Sequence, residues 1–162
     1  MLSFCMQSKF GSMSDEFLKL QNQICYRLYL ASNGMMRLYK PLLSPLGLTY
    51  PQYILMLSLW EQDHVTMGQL ATATSMDKGF LSTLVKSLQG KGHIQVTSDS
   101  QDSRKKIIAL SKRGQKLKDK AQDIPRTLLC MLGGDQGRPD EIARLKAMLD
   151  ELNRTIAGLE ES

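Results

Sequence analysis

The sequence has little of what metal centres, disulfide-stabilised secreted domains and membrane spans require. It contains three cysteines and two histidines, and no two cysteines have the CxxC spacing of a zinc site. The odd cysteine count argues against a secreted disulfide framework. No apolar run approaches the length of a transmembrane helix, and the first residues lack the pattern of a secretory signal. We therefore expect a cytoplasmic protein with no membrane partner, no metal and no organic cofactor.

The chain does have ordinary apolar content and an excess of positive charge. Hydrophobic residues make up 42% of the 162 positions, which favours one globular domain with a core over a disordered chain. The formal net charge is +5 at pH 7. This excess suits a polyanionic partner such as nucleic acid, but many basic proteins bind none.

Residues 66–113 predict a helix-turn-helix followed by a β-hairpin. Thr66 and Gln69 have the spacing of a capping box, in which each satisfies a free backbone N–H of the other at a helix start. The first helix is short. Ser75, in the turn that follows, is expected to cap a second helix that runs to Gly90.

The two faces of the second helix differ in character. Its apolar residues recur at helical spacing and form one face: Leu81, Leu84, Val85 and Leu88. The opposite face is small, polar and cationic, and carries no acid beyond the first turn. We predict that its residues contact DNA: Lys78, Gly79, Ser82, Thr83 and Lys86.

The hydrophobic period then changes to two. Residues 93–97 and 106–110 predict two strands. The polar tip between them, Ser98 to Arg104, is followed by Lys105 and Lys106. A helix-turn-helix with a basic hairpin is a winged helix, whose second helix fits the major groove while the wing reaches phosphates. The competing interpretation is a small α+β domain whose polar helix face is merely solvated.

Helices are predicted before this segment. One begins at Ser14, passes Asn33-Gly34 and is bent or restarted at Pro41. Another, Tyr50–Glu61, is capped by Thr49 and is almost wholly apolar, which predicts the buried centre of the domain.

Helices are also predicted after it. Ser111 caps a long helix that Pro125 should kink, and a last helix begins near Pro139. The apolar residues of the last helix alternate at spacings of three and four: Ile142, Leu145, Leu149, Leu152, Ile156 and Leu159. This seam predicts a homodimer, because one recognition helix reads only a half-site. The alternative is a helix packed on its own domain.

The predicted fold is therefore mainly α with a small β-hairpin wing, a winged helix-turn-helix that forms an obligate homodimer. We divide it into a flexible N-terminal arm (1–13), dimerisation and sensor helices (14–46), a DNA-binding domain (47–113) and C-terminal dimerisation helices (114–162).

Several segments, taken in this order, resemble the MarR family of bacterial winged-helix regulators, and within it the organic hydroperoxide sensing branch, OhrR. The N-terminal half carries Asn22-Gln23-Ile24-Cys25, Tyr29, Tyr39-Lys40-Pro41-Leu42-Leu43, Gly47-Leu48-Thr49-Tyr50-Pro51-Gln52-Tyr53 and Leu59-Trp60-Glu61. Further on stand Met76-Asp77-Lys78-Gly79 and a DxxDxR wing pattern formed by Asp99, Asp102 and Arg104.

The resemblance implies a repressor dimer that releases a pseudo-palindromic operator in double-stranded DNA when it is oxidised. Cys25 would be the peroxidatic thiol, and its first product a sulfenic acid. Tyr39 and Tyr50 of the partner subunit would hydrogen-bond the sulfur and favour the reactive thiolate. Tyr29, on the helical face of Cys25, would add to the pocket.

The resemblance also assigns roles to a second cysteine and to the wing. Cys130 stands where some branch members have a resolving cysteine that forms an intersubunit disulfide with the peroxidatic one. The alternative is a plain buried thiol. Asp99 and Asp102 would brace the wing, and Arg104 would either join them or enter the minor groove. Cys5 is expected to be incidental.

Two departures from the branch pattern affect specificity. Phe80 to Thr83 stand where the branch reads Thr-Leu-Thr-Pro, which affects the operator, and Asn33-Gly34 replaces a Ser-Arg pair, which affects the oxidant pocket. Organic hydroperoxides, hypochlorite and quinones therefore all stay open as inducers. Two other functions also stay open: a regulator induced by a phenolic ligand without thiol chemistry, and a thiol peroxidase. We favour a regulator over an enzyme.

Overall fold

A computed structural model describes residues 14–98, 102, 105–133 and 139–160. The chain divides into two compact units, Met1–Pro41 and Leu42–Ser162. The predicted arm, Cys5 and the wing residues Asp99 and Arg104 lie outside the described residues, so their predicted roles stay predictions.

The first unit differs from its prediction at two points. Helix α1 (Ser14–Leu18) ends early, a 3-10 turn follows, and α2 (Ile24–Leu43) begins anew. The Asn22 side chain donates to the Glu16 backbone oxygen at 2.8 Å. Such side-chain bonds compete with the helix ladder. Of the two alternatives predicted at Pro41, the restart is wrong, since α2 passes both Asn33-Gly34 and this proline without interruption; the bend stays a prediction.

The helix-turn-helix of the second unit has nearly its predicted limits. Helices α3 (Tyr50–Glu61) and α4 (Met67–Thr74) both begin at capping boxes, and α5 (Lys78–Gly90) follows. The residues that make α3 the buried centre are Tyr53, Leu55, Met56 and Leu59. The capping boxes and the buried α3 are thereby confirmed.

The predicted cap of α5 is wrong. Ser75 ends α4 in the left-handed region, with φ of 54°. Asp77 caps α5 instead, and its Oδ1 accepts the Phe80 backbone N–H at 2.8 Å. A carboxylate makes a charge-assisted bond there and is stabilised by the positive end of the helix dipole.

The wing is a three-stranded antiparallel sheet. The predicted hairpin is confirmed as β2 (Ile94–Ser98) and β3 (Lys106–Leu110). A short strand β1 (Val65–Thr66) pairs with the other edge of β3, which gives the order β1-β3-β2. Two residues are too few to show a period of two, so the sequence pattern did not indicate β1.

The predicted long helix after the wing is two helices. Helix α6 (Lys112–Ala121) begins at the Ser111 cap, and α7 (Ile124–Met131) starts with Pro125 in its first turn, where a missing N–H costs little. Helix α8 spans Pro139–Glu160. Among the described helices, none combines membrane-spanning length with a sufficiently apolar sequence.

Helix α6 packs closely on the start of β2. Ser111 Oγ donates to the carbonyl oxygens of Gly92 at 2.7 Å and His93 at 3.0 Å. Trp60 Nε1 donates to the Gly114 carbonyl oxygen at 3.0 Å. A Cβ at Gly114 would overlap the His93 carbonyl oxygen, so only glycine permits this approach.

We expect Gly114→Ala to lower the free energy of unfolding by about 1–3 kcal/mol, because a backbone oxygen cannot move aside as a side chain can. Urea titration followed by circular dichroism measures the change. Gly90→Ala is the matched control, since a Cβ there meets open space. Equal stability of the two variants would contradict the packing argument.

Candidate nucleic-acid interface and sensor cysteines

Helix α5 buries one face and exposes the other. Its apolar face is buried as predicted, with Leu81 and Leu88 fully enclosed. The predicted contact residues lie on the opposite side: Lys78, Gly79, Thr83 and Lys86 are exposed and Ser82 is half-buried. Phe80, 44% exposed, lies at the border of the two faces. The set of contact residues predicted from the sequence does not include Phe80, although its exposed position outside the apolar spacing was the available signal.

A buried glutamine fixes α5 against α3. Gln52 is only 4% exposed, and its Nε2 donates to Ser87 Oγ at 2.9 Å. Its Oε1 accepts from the Thr49 backbone N–H at 3.1 Å and from Lys91 Nζ at 2.8 Å. Lys91 Nζ also donates to the Gly47 carbonyl oxygen at 2.7 Å. This network ties the end of α5 to the start of α3 and to the turn before it, a role that the capping box alone did not indicate.

The start of β3, at the tip end of the hairpin, lies beside the start of α4. A pocket of about 350 Å³ is lined by Thr66, Met67, Gly68, Lys105 and Lys106. Lys106 Nζ donates to Ser98 Oγ at 2.8 Å, which orients that side chain across the hairpin. A helix N-terminus beside two lysines favours an anion such as a DNA phosphate. Sequence reasoning named the lysines but missed the helix end beside them.

The wing-bracing prediction stays open. Asp102 is half-buried, and its backbone oxygen accepts the Lys105 N–H at 2.8 Å. Its two predicted partners lie in the part of the wing that is not described. The structure therefore places one of the three residues and tests none of the proposed pairs.

Cys25 lies in the first turn of α2 and is exposed. Tyr29 follows one helical turn later and is 63% exposed, so the two side chains share a face. Tyr39 is on the same helix fourteen residues further on, about 21 Å along the axis at the usual rise. A Tyr39 hydroxyl can therefore approach Cys25 only from another subunit.

The remaining thiol-site residues belong to the second unit. Tyr50 is the first residue of α3 and is half-buried. Cys130 lies near the end of α7 and is exposed, beside the exposed side chains of Leu129 and Met131. The Cys130 thiol is therefore not buried within the protomer, and its resolving role stays a prediction beside the alternative of a plain thiol.

Comparison with known proteins agrees with this geometry. The family model for transcriptional regulator SarA/Rot matches residues 37–121. An organic hydroperoxide resistance transcriptional regulator of Bacillus subtilis (strain 168) is 36% identical over 151 residues, which cover 93% of this chain and 97% of the relative. The chain belongs to the MarR family of winged-helix transcriptional regulators. The resemblance to the organic hydroperoxide branch is confirmed with it.

Solved structures of the MarR fold match most of the chain. Reduced AbfR bound to DNA matches with a TM-score of 0.75 and 25% identity, covering 91% of this chain and 99% of that one. Disulfide-formed AbfR matches with a TM-score of 0.61 and 26% identity, covering 93% and 98%. The predicted winged helix-turn-helix is thereby confirmed.

One buried histidine lies at the base of the wing of this MarR-family chain. His93 is 3% exposed. Burial lowers the pKa of its imidazole, and the positive charges of Arg113 and Lys91 lower that pKa further. Within the described part of the chain its buried Nδ1 has no hydrogen-bond partner. The folded protein therefore disfavours the charged imidazolium.

We expect acidification to destabilise the fold through His93. Because the folded-state pKa is lowered, the unfolded chain takes up the proton first, and stability falls as the pH drops below the ordinary value near 6.5 toward the folded value. The thermal midpoint of His93→Gln should change less than that of the wild type between about pH 7.5 and 5.5. His64→Gln, at an exposed position, should retain the wild-type slope. Parallel slopes for all three proteins would refute this assignment.

Proposed function

We propose that this protein is a homodimeric, redox-sensing, DNA-binding repressor that releases its operator when Cys25 is oxidised. The observation that carries the proposal is that one winged helix has two cationic features. The polar face of α5 presents Lys78 and Lys86 without an opposing acid, and the wing presents Lys105 and Lys106 beside the start of α4. These features match what major-groove reading and phosphate binding require.

The DNA complex would contain two copies of α5 in successive major grooves about 34 Å apart. Lys78, Gly79, Ser82, Thr83 and Lys86 would face base edges, and Phe80 would offer an apolar contact to a thymine methyl group. Lys105 and Lys106 would hold a phosphate at the pocket beside α4. The Arg104 side chain would either contact the minor groove or pair with Asp99 or Asp102.

Homodimerisation would use the segments on both sides of the winged helix, 14–46 and 114–162. Helices α7 and α8 leave many large apolar side chains exposed in the protomer: Leu129, Met131, Leu132, Leu145, Met148, Leu149, Ile156 and Leu159. Exposed apolar surface of this extent marks an association site. A two-fold dimer would cover it and pair the recognition helices.

The sensing step would begin at Cys25. Its thiolate would attack the terminal oxygen of an organic hydroperoxide and cleave the O–O bond, which gives a sulfenic acid and an alkoxide that takes a proton from water to leave as an alcohol. The Cys130 thiolate of the partner would then attack the sulfenic sulfur, displacing hydroxide, which takes a proton to leave as water, and forming a disulfide. The Bacillus subtilis relative is named for organic hydroperoxide resistance, and AbfR has both a DNA-bound reduced form and a disulfide form.

The deciding experiment measures operator binding in three states of one sample. Reduced protein should bind a pseudo-palindromic operator, cumene hydroperoxide should abolish binding, and dithiothreitol should restore it. Release by a phenolic ligand with an intact response in Cys25→Ser would favour a regulator without thiol chemistry. Multiple-turnover peroxide consumption without DNA binding would favour a thiol peroxidase.

A further inference from the structure

The residues that line a basic pocket include neither the polar-face residues of α5 nor the two cysteines. It encloses about 420 Å³, within the range of small-molecule sites. Its wall is formed by the segment before α3, the start of β2 and one side of α6: Pro45, Leu46, His93, Lys112, Arg113, Lys116, Leu117 and Lys120. We call it the α6 pocket.

The α6 pocket concentrates positive charge. Lys112, Lys116 and Lys120 are spaced four residues apart, so they stack along one side of the helix, and Arg113 adjoins them. None of the lining residues, all of which the structure describes, is acidic. Like charges at this spacing destabilise a helix. The positive end of the α6 dipole adds to the field, so a bound anion would offset the repulsion.

A second and independent feature also indicates a ligand. His93 is one of the residues that line the pocket; its side chain is buried, and its Nδ1 is without a hydrogen-bond partner in the described chain. A buried polar atom without a hydrogen bond lowers the stability of the fold, and most buried polar atoms have a hydrogen-bond partner. The close approach of Gly114 to the His93 carbonyl oxygen fixes this residue beside the cations of α6.

We propose that the α6 pocket binds the phosphate group of a small phosphate monoester. A phosphate presents three terminal oxygens, enough to accept bonds from several α6 cations and from the Nδ1–H of a neutral imidazole. A carboxylate presents only two. Pro45, Leu46 and Leu117 form an apolar wall against which the organic part of the ester packs. The site gives the regulator a second input that does not involve thiol chemistry.

The test uses phenyl phosphate and inorganic phosphate, titrated by calorimetry into the reduced full-length protein. Phenyl phosphate should bind saturably at one site per protomer, and more tightly than inorganic phosphate. Lys116→Gln and His93→Gln should each weaken binding by about tenfold or more. Lys146→Gln removes the same charge from an exposed position of α8 and should bind as the wild type does.

Operator binding by the same variants shows whether the α6 pocket holds a small phosphate ester or a phosphate of the DNA backbone. Lys116→Gln, which changes an exposed helix position and should fold normally, should retain wild-type DNA affinity. If it loses DNA affinity and phosphate affinity together, and phenyl phosphate competes with the operator, the pocket holds the DNA backbone and the proposal fails. The proposal also fails if binding is unsaturable or equal in all variants. Neither result depends on the response of Cys25 to oxidants.

Discussion

Operator affinity of the reduced protein should fall by about a thousandfold or more between about 50 and 200 mM salt. The winged helix presents Lys78 and Lys86 on α5 and Lys105 and Lys106 at the wing. Two-fold pairing doubles this set, and the expected fall is that of a dimer that neutralises about six to ten phosphates with the wing lysines and its other exposed cations. Fluorescence anisotropy of a labelled operator at several salt concentrations gives the slope.

Single substitutions show which lysines contact phosphates and which contact base edges. Lys105→Gln should lower affinity similarly for operator and unrelated DNA, because a phosphate contact carries no sequence information. Lys86→Gln should reduce the preference for the operator, because its side chain faces base edges in the proposed complex. Lys146→Gln controls for net charge alone. A salt-independent affinity, or an equal loss in all three variants, would rule out this interface.

The sequence predicted those elements whose signals are local. The capping boxes at Thr49 and Thr66 set the starts of α3 and α4, and the change of period marked both strands of the hairpin. Two of the errors occurred where a side chain competed with the expected pattern. Asn22 bonds back to Glu16 and ends α1, and Asp77 caps α5 more strongly than Ser75 would.

The candidate sites were less accessible to sequence reasoning, because their residues are far apart in the chain. Gln52 meets Lys91 across 39 positions, and Lys105 meets the start of α4 only after the wing has folded. No periodicity encodes such contacts. The cysteine roles came from the resemblance alone, and the exposure of both thiols in the protomer is consistent with them.

Hydroperoxide should convert the wild-type protein to a covalent dimer, at twice the 18.2 kDa protomer mass, that dithiothreitol reverses. Cys25→Ser should form no covalent dimer and should retain its operator in peroxide, because the reacting thiolate is gone. Cys130→Ser should also remain monomeric on a non-reducing gel, yet its Cys25 should still react with a sulfenic acid probe. Cys5→Ser is the matched control and should behave as the wild type.

These variants separate sensing from crosslinking. A disulfide needs its two Cα atoms within roughly 7 Å, so a Cys25–Cys130 bond constrains α2 of one subunit against α7 of the other. If Cys130→Ser releases the operator as fully as the wild type, oxidation of Cys25 alone moves the recognition helices, and the disulfide serves only to stop further oxidation. If Cys130→Ser stays bound, closing the disulfide is itself the movement that separates the two α5 helices from their half-sites. Crosslinking that persists without Cys130 would assign the bond to Cys5 and contradict the proposed pair.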